Sequence, residues 1–280
     1  MSRIRRLTTA LWQRATRRTF GSRRPLRNTA FPPPIAVPDR HPKVVAYLVG
    51  NPILTIPIAR CRYTDGRRYS YSEHHFLQYY RYGLTQFRRF YQTHQPSNIF
   101  EYFFLDAPRA TELAVRQMPW FEDYEPQRPS AEAGLPADLH GYQGCGPASE
   151  DRILSEAGRL DSVLASIRKY GFRPEMGGHV RGHFMMRRDG QWVFTIREGF
   201  HRVAALAHLG FSTIDVRMHP SCPRFVEQAD SHLWPKVRAG TLTQDEAEQI
   251  FDQFFRDERQ IPASREPDVV VEIPESTARS

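Results

Sequence analysis

Apolar residues recur at helical and strand spacings in several separate stretches. Between 72 and about 94, Phe76, Tyr79, Tyr80, Gly83, Leu84, Phe87 and Tyr91 fall near a 3.6-residue period. This predicts one long helix with Ser72 as N-cap and Glu73 in its first turn. A second helix is predicted after Ser149, opening on Glu150 and Asp151, with Ile153, Leu154, Ala157, Leu160, Leu164 and Ile167 on its apolar face. Gly171 suits its left-handed stop. Two strand-like runs, 179–188 and 191–197, flank Asp189-Gly190, a strong hairpin signal. A glycine turn, a helix over 203–209 stopped by Gly210, and a strand over 212–218 follow. The last helix is expected over 243–255, with a Thr243/Glu246 capping box, a Leu242–Ala247 staple and Trp234-Pro235 as its anchor.

The first half reads less sharply. Residues 43–49 suit a strand or a short helix, and 100–105 a strand or a helical turn. Pro57 reduces the run 53–58 to an edge strand. Residues 122–149, rich in Pro, Gly, Glu and Ala, read as a long irregular connection. The pattern divides the chain into a basic arm and Pro-rich linker (1–42), a helical and irregular, aromatic-rich segment (43–137), an α+β domain (138–258) and a tail without pattern (259–280).

Composition narrows the function classes. Hydrophobic residues make up 40% of the 280, enough for a core, yet no run of about 18 apolar residues suggests a membrane-spanning helix. The three cysteines form no CxxC pair, which argues against a disulfide framework or a cysteine zinc site and fits a cytoplasmic setting. Net charge is +8, but residues 1–28 hold nine arginines and no acid, so the other 252 carry −1. A near-neutral body argues against a nucleic-acid face. In the arm, Ile4, Leu7, Leu11, Trp12 and Ala15 share helical spacing. It reads as an amphipathic helix on an anionic membrane surface, at its inner face, as a transit peptide, or as a solvated arm.

The segment 196–206 concentrates the chemistry. A strand, a glycine turn and a helix beginning His201-Arg202 form an anion site by construction, because free amides and the helix dipole point outward. Gly199 lets the backbone approach a phosphate, Arg202 adds a charge-assisted bond, and His201 donates to an oxygen or orients a neighbour. His179 and Arg181, two apart on one strand face, point together at the turn or at solvent. Glu198 is either a general base or magnesium contact or a partner of Arg197. His140, Gln143 and Cys145 lie in a Gly-rich loop that reads as a plain connection or as a cover for substrate. Cys145 has no base fixed beside it by sequence. His74 and His75, adjacent on a helix, should diverge and form no metal pair. The aromatic stripe with Arg81, Arg88 and Arg89 reads as core-facing rather than base-stacking.

The run Ile196-Arg197-Glu198-Gly199-Phe200-His201-Arg202-Val203-Ala204-Ala205-Leu206, then Leu209-Gly210 and Ile214-Asp215-Val216, resembles the ParB/sulfiredoxin superfamily. The hairpin with His179, Arg181 and Gly182 shares the likeness, which covers about 140–220. The resemblance implies a small mixed sheet with flanking helices, and a Gly-x-x-Arg turn holding nucleotide phosphates through Gly199, Phe200, His201 and Arg202. Sulfiredoxins place a cysteine where Phe200 stands, which argues against sulfinic-acid reduction. Chromosome-partitioning members carry a basic helix-turn-helix that 222–260 does not show clearly.

ParB-like small-molecule kinases keep the turn and use a carboxylate as base, for which Glu150, Asp151, Glu156 and Glu198 are available. A closer likeness, carried by His140-Gly141, Gly146-Pro147, Glu156, Arg159-Leu160, Gly178-His179 and Trp234-Pro235, is to bacterial ParB-like proteins associated with cell-surface polysaccharide gene clusters. The resemblance implies a nucleoside tri- or diphosphate with Mg²⁺ as cofactor. It implies phosphotransfer to a small hydroxyl compound such as a sugar or glycan precursor, with Glu156, Glu150 or Glu198 as base. The competing readings are a nucleotide-sensing accessory protein of surface-glycan synthesis without turnover, and a DNA-binding regulator.

Overall fold

The computed structural model describes residues 34–37, 41–47, 51–108, 113–122 and 134–256. The arm at 1–28 and the tail at 259–280 lie outside these residues. Seven strands form one mixed sheet: β1 (Ile35–Ala36), β2 (Leu54–Pro57), β3 (Cys61–Arg62), β4 (Val180–Met186), β5 (Trp192–Glu198), β6 (Thr213–Met218) and β7 (Phe225–Glu227). Four longer helices accompany them: α1 (His75–Thr93), α2 (Glu150–Tyr170), α3 (Phe200–His208) and α4 (Gln244–Asp252). The α+β class expected from the pattern is what the chain adopts.

The strand order is β1-β2-β6-β4-β5-β3. β5 runs antiparallel to β4 along its length, from Arg181↔Glu198 to Met186↔Trp192. The other edge of β4 is shared: Val180–Gly182 pairs parallel with β6, and Phe184–Met186 pairs parallel with β7. The hairpin is the one signalled by Asp189-Gly190, with Gly190 at φ 84. Gly182 sits where a Cβ would meet the Thr195 carbonyl oxygen at 2.1 Å, so only glycine fits there.

Strand alternation feeds two cores, one on each sheet face. Phe184, Phe194, Ile196 and Val216 pack with Phe76, Phe87, Leu160, Ile167, Val203 and Leu206 from α1, α2 and α3. Met185, Val193 and Val226, one residue out of phase, pack with Phe100, Trp120, Trp234, Leu242, Ile250 and Phe251. The second core closes on α4, whose Thr243/Glu246 capping box forms as expected. Leu242 and Ala247 are both buried, as a staple requires.

The structure corrects several readings. β2 is not an edge strand: it lies between β1, in parallel, and β6, antiparallel. Pro57 is tolerated because it ends the strand. Part of the expected Pro-rich linker is thereby built into the sheet as β1, and the strands β1–β3 from the first part of the chain share one sheet with β4–β7. The described part of 43–49 forms a helical turn, Pro42–Ala46, and 100–105 another, Ile99–Tyr102. The N-cap of α1 is His74, not Ser72: its ring nitrogen accepts from the Phe76 amide. Because the cap is non-helical, His74 and His75 do not diverge; their rings lie parallel, 5.1 Å apart. Gly83, assigned to the apolar stripe, takes φ 76 and interrupts α1. Among residues 122–149 the chain forms a helical turn at Ala137–His140, and 123–133 lie outside the described residues. α4 ends at Asp252 rather than 255, and α3 begins at Phe200, so the residues read as a turn form its first turn.

Candidate anion-binding site

Glu198 ends β5 and Gly199 turns the chain into α3 at φ 94, ψ 23. That left-handed conformation favours glycine. A Cβ there would also stand 2.9 Å from Arg202 Nη2 and 2.9 Å from Val180 Cγ2. The Gly199 carbonyl accepts from the amides of both Arg202 and Val203, and no side chain caps the helix. The amides of Phe200 and His201 precede the helix's own acceptors, so the dipole and two donors converge at this corner.

His201 does not face the corner. Its Nε2 lies 2.7 Å from Glu156 Oε2 on α2, and its ring stacks on Phe76 at 4.7 Å. The other Glu156 oxygen accepts from Arg152 Nη1 at 3.3 Å, and Arg152 Nη2 donates to the Leu135 carbonyl. All three residues are at most 5% exposed. Burial by itself pushes the Glu156 carboxyl up, but the His201 hydrogen bond and the charges of His201, Arg159 and Arg152 hold it below the usual range. Two residues singled out separately, as a base and as a phosphate ligand, are thus one buried pair that fixes the start of α3.

Arg202 remains at the corner. Its Nη1 donates to the carbonyls of Gly177 and Gly178, with Gly177 at 2.7 Å. Arg181 and Glu198, opposite each other in the register, form an ion pair at 3.1 Å, and His219 Nε2 lies 3.4 Å from the same carboxylate. His179 is half-buried beside Arg217, Asp215, Arg181 and Arg202; burial first, then the Arg217 charge, lowers its pKa and keeps it neutral. His179, Arg181, Glu198 and Arg202 are therefore brought together. Glu150 is not: its partner is Arg88 of α1, in the first turn of α2. Asp151, beside it, is likewise exposed.

Next to Arg202 opens a groove of about 380 Å³, walled by Val163, Ile167, Tyr170 and Phe172 and closed by Arg173 and Gly177. Such a mostly apolar groove ending at a cation and a helix start suits a ligand with a flat apolar part and an anionic part. Arg217 and His219 were not singled out from the sequence, and Arg159 only as part of the likeness, because they converge only through the packing of α2 on α3 and the β4–β6 pairing. The spacing of Val163, Ile167 and Tyr170 on α2 was the available signal for the groove, an apolar stripe continuing past the core residues.

Among the described residues no group of three or more His, Cys, Asp or Glu side chains is placed to hold a metal ion. No family model matches the chain, and no curated protein matches it.

Proposed function

We propose that the corner at Gly199 binds a nucleotide and that the chain transfers a phosphoryl group from it to a small hydroxyl compound. The observation that carries this reading is the coincidence, at one uncapped helix start, of a left-handed glycine, the Arg202 guanidinium and the adjoining apolar groove. The base and ribose would lie against Ile167, Tyr170 and Phe172, and the phosphates at the amides of Phe200 and His201 within reach of Arg202 and Arg181.

A bound nucleotide with Mg²⁺ supplies the transferable phosphoryl group. Mg²⁺ brought by the nucleotide would be held by phosphate oxygens and water, which leaves Glu198 for the acceptor's proton. Glu198 is 46% exposed at its side chain and sits one residue before the turn. It would take the acceptor's proton as the acceptor oxygen bonds to phosphorus and the bridging P–O bond breaks. Positioning and charge neutralisation by Arg202, Arg181 and the helix amides supply the rest. Glu156 acts here through His201 as a positioning residue.

Equilibrium binding of labelled ATP, ADP and CTP to the full chain tests the first half of the proposal. Arg202→Ala should weaken binding at least tenfold, and an unchanged affinity removes the phosphate reading. Transfer of labelled γ-phosphate to a panel of hydroxyl acceptors, with Glu198→Gln as control, tests the second half. One observation favours the reading as a nucleotide sensor without turnover: both oxygens of Glu156 are committed to protein partners. Tight nucleotide binding with no transfer to any acceptor would select it.

A further inference from the structure

A phosphate-binding corner is indifferent to the base; the adjoining groove is not. Four of the side chains lining the groove carry polar groups, those of Ser166, Tyr170, Arg173 and Arg202, and none carries a carboxylate or an amide. Arg202 meets the groove at Gly177, whose carbonyl accepts from its Nη1. Arg173 stands at the other end of the same helical turn, as the residue before Pro174–Gly177. Its Nε donates to the Tyr170 carbonyl at 2.9 Å, which ties the stem down. The other four of its five N–H donors, on Nη1 and Nη2, meet no hydrogen-bond or ion-pair partner among the described residues. The guanidinium carbon lies 5.7 Å from the centre of the Tyr170 ring, so the donor fork sits beside the aromatic wall of the groove.

A fixed fork of donors selects the base edge it meets. Guanine presents two adjacent acceptors, O6 and N7, the edge that arginine takes bidentately. Adenine sets an amino group beside N7 and so turns a donor toward the donors of Arg173. Cytosine also has adjacent acceptors, O2 and N3. In an anti nucleotide, however, these lie on the side of the base away from the 5′-phosphate, whereas the purine N7 lies on the phosphate side. Arg173 and Arg202 meet the groove at the two ends of one helical turn, so base edge and phosphate have to face the same way. Ser166, Gly171 and Arg173 are exposed at the rim, which leaves the guanine N1–H and amino group in water with no need of a carboxylate.

We propose that the groove selects a guanine nucleotide, with Arg173 as the residue that decides between guanine and adenine. The inference rests on the reading of the Gly199 corner as a phosphate site and adds the identity of the base to it. The groove volume of about 380 Å³ falls within the range of small-molecule sites, ~300–1,000 Å³.

Equilibrium binding of GTP, ITP, 7-deaza-GTP, ATP and CTP, each with Mg²⁺, to the full chain tests this. GTP and ITP share O6 and N7, and should bind alike and at least tenfold more tightly than ATP or CTP. Loss of the N7 acceptor in 7-deaza-GTP should weaken binding at least threefold relative to GTP. Arg173→Ala should bring GTP down to the affinity of ATP and leave ATP unchanged, whereas Arg202→Ala should weaken all five alike. Equal affinity for GTP and ATP, a GTP preference that survives Arg173→Ala, or indifference to the 7-deaza change overturns the base assignment and leaves the corner standing. Absence of Arg202-dependent binding for every nucleotide overturns the corner, and the base assignment with it. The analogue series is measured on the wild type, so it decides the matter alone if Arg173→Ala fails to fold.

Discussion

His201 Nε2 and Glu156 Oε2 meet at 2.7 Å across 45 residues of sequence, both buried. The pair joins the helix that opens the anion site to the long helix behind it. Removing one partner strands the other in a dry interior. Glu156→Leu is therefore expected to destabilise the fold by about 3–5 kcal/mol in urea titrations. Glu156→Leu combined with His201→Phe should cost clearly less than the two single losses added together. Simple additivity would show that the pair is not coupled.

The same carboxylate gives a pH signature. Its folded pKa is depressed from an ordinary value of 4.5. Its contribution is therefore complete above 4.5 and is lost as pH falls below that value and through the folded pKa. Comparing urea midpoints of the wild type and Glu156→Gln between pH 6 and 3 should show the wild-type advantage shrinking at the acid end.

Arg202 has two possible partners, and the prediction concerns which one it takes. Without ligand it clasps the carbonyls of Gly177 and Gly178, and this segment is bounded by Gly171 at φ 74 and Gly178 at φ 78. An anion at the α3 amides competes for the same guanidinium. Amide exchange of residues 175–180 should rise in Arg202→Ala, as the clasp is lost. Arg202→Lys should restore part of it, because both bonds come from one nitrogen, Nη1, and an ammonium also donates to two carbonyls. Unchanged exchange in both variants would show that the clasp does not hold the segment.

Much of this site was readable where local signals agree with the tertiary fold, and unreadable where they do not. α2 begins at Ser149 and stops at Gly171 as its capping residues dictate, and the Asp189-Gly190 hairpin forms in nearly the expected frame. Each of these is decided within a few residues. The β2–β6 pairing joins segments about 160 residues apart, and no local pattern encodes it. His201 was legible as a member of a turn but not as a partner of Glu156, since that depends on how α3 packs on α2. At the start of α1 two side chains could cap, and the fold selects His74 because its ring is sandwiched between Tyr69 and His75.

Three of the buried histidines set the behaviour near neutrality. His74, His75 and His183 are each at most 1% exposed, and burial, reinforced by Arg67 for the first two and Arg197 for the third, drives their pKa values well below 6.5. Among the described residues neither His183 nitrogen has a hydrogen-bond partner, and His74 Nε2 has none. These groups stay neutral when folded and take up protons when unfolded, so the unfolded state gains as pH falls below 6.5. Each contributes a slope of up to about 1.4 kcal/mol per pH unit. Urea stability should be flat above pH 7.5 and fall steeply between pH 6.5 and 5, and His183→Phe should flatten the slope. A profile level down to pH 5 would contradict the burial of all three.

The cysteines give a last test, read by alkylation rather than by unfolding. Cys61 and Cys145 are buried, at 0% and 3% exposure, and burial raises their thiols to about 12 and about 11. Cys222 is half-buried, and although burial raises its pKa too, the neighbouring Arg197 charge and hydrogen bond oppose the shift. The thiolate is the reacting species, and access multiplies its effect. In native protein at pH 8, iodoacetamide should label Cys222 first, with Cys61 and Cys145 slower by at least tenfold, whereas in 8 M urea all three should react at similar rates. Rapid native labelling of Cys145 would mean that the Gly-rich loop carrying it opens in the native protein.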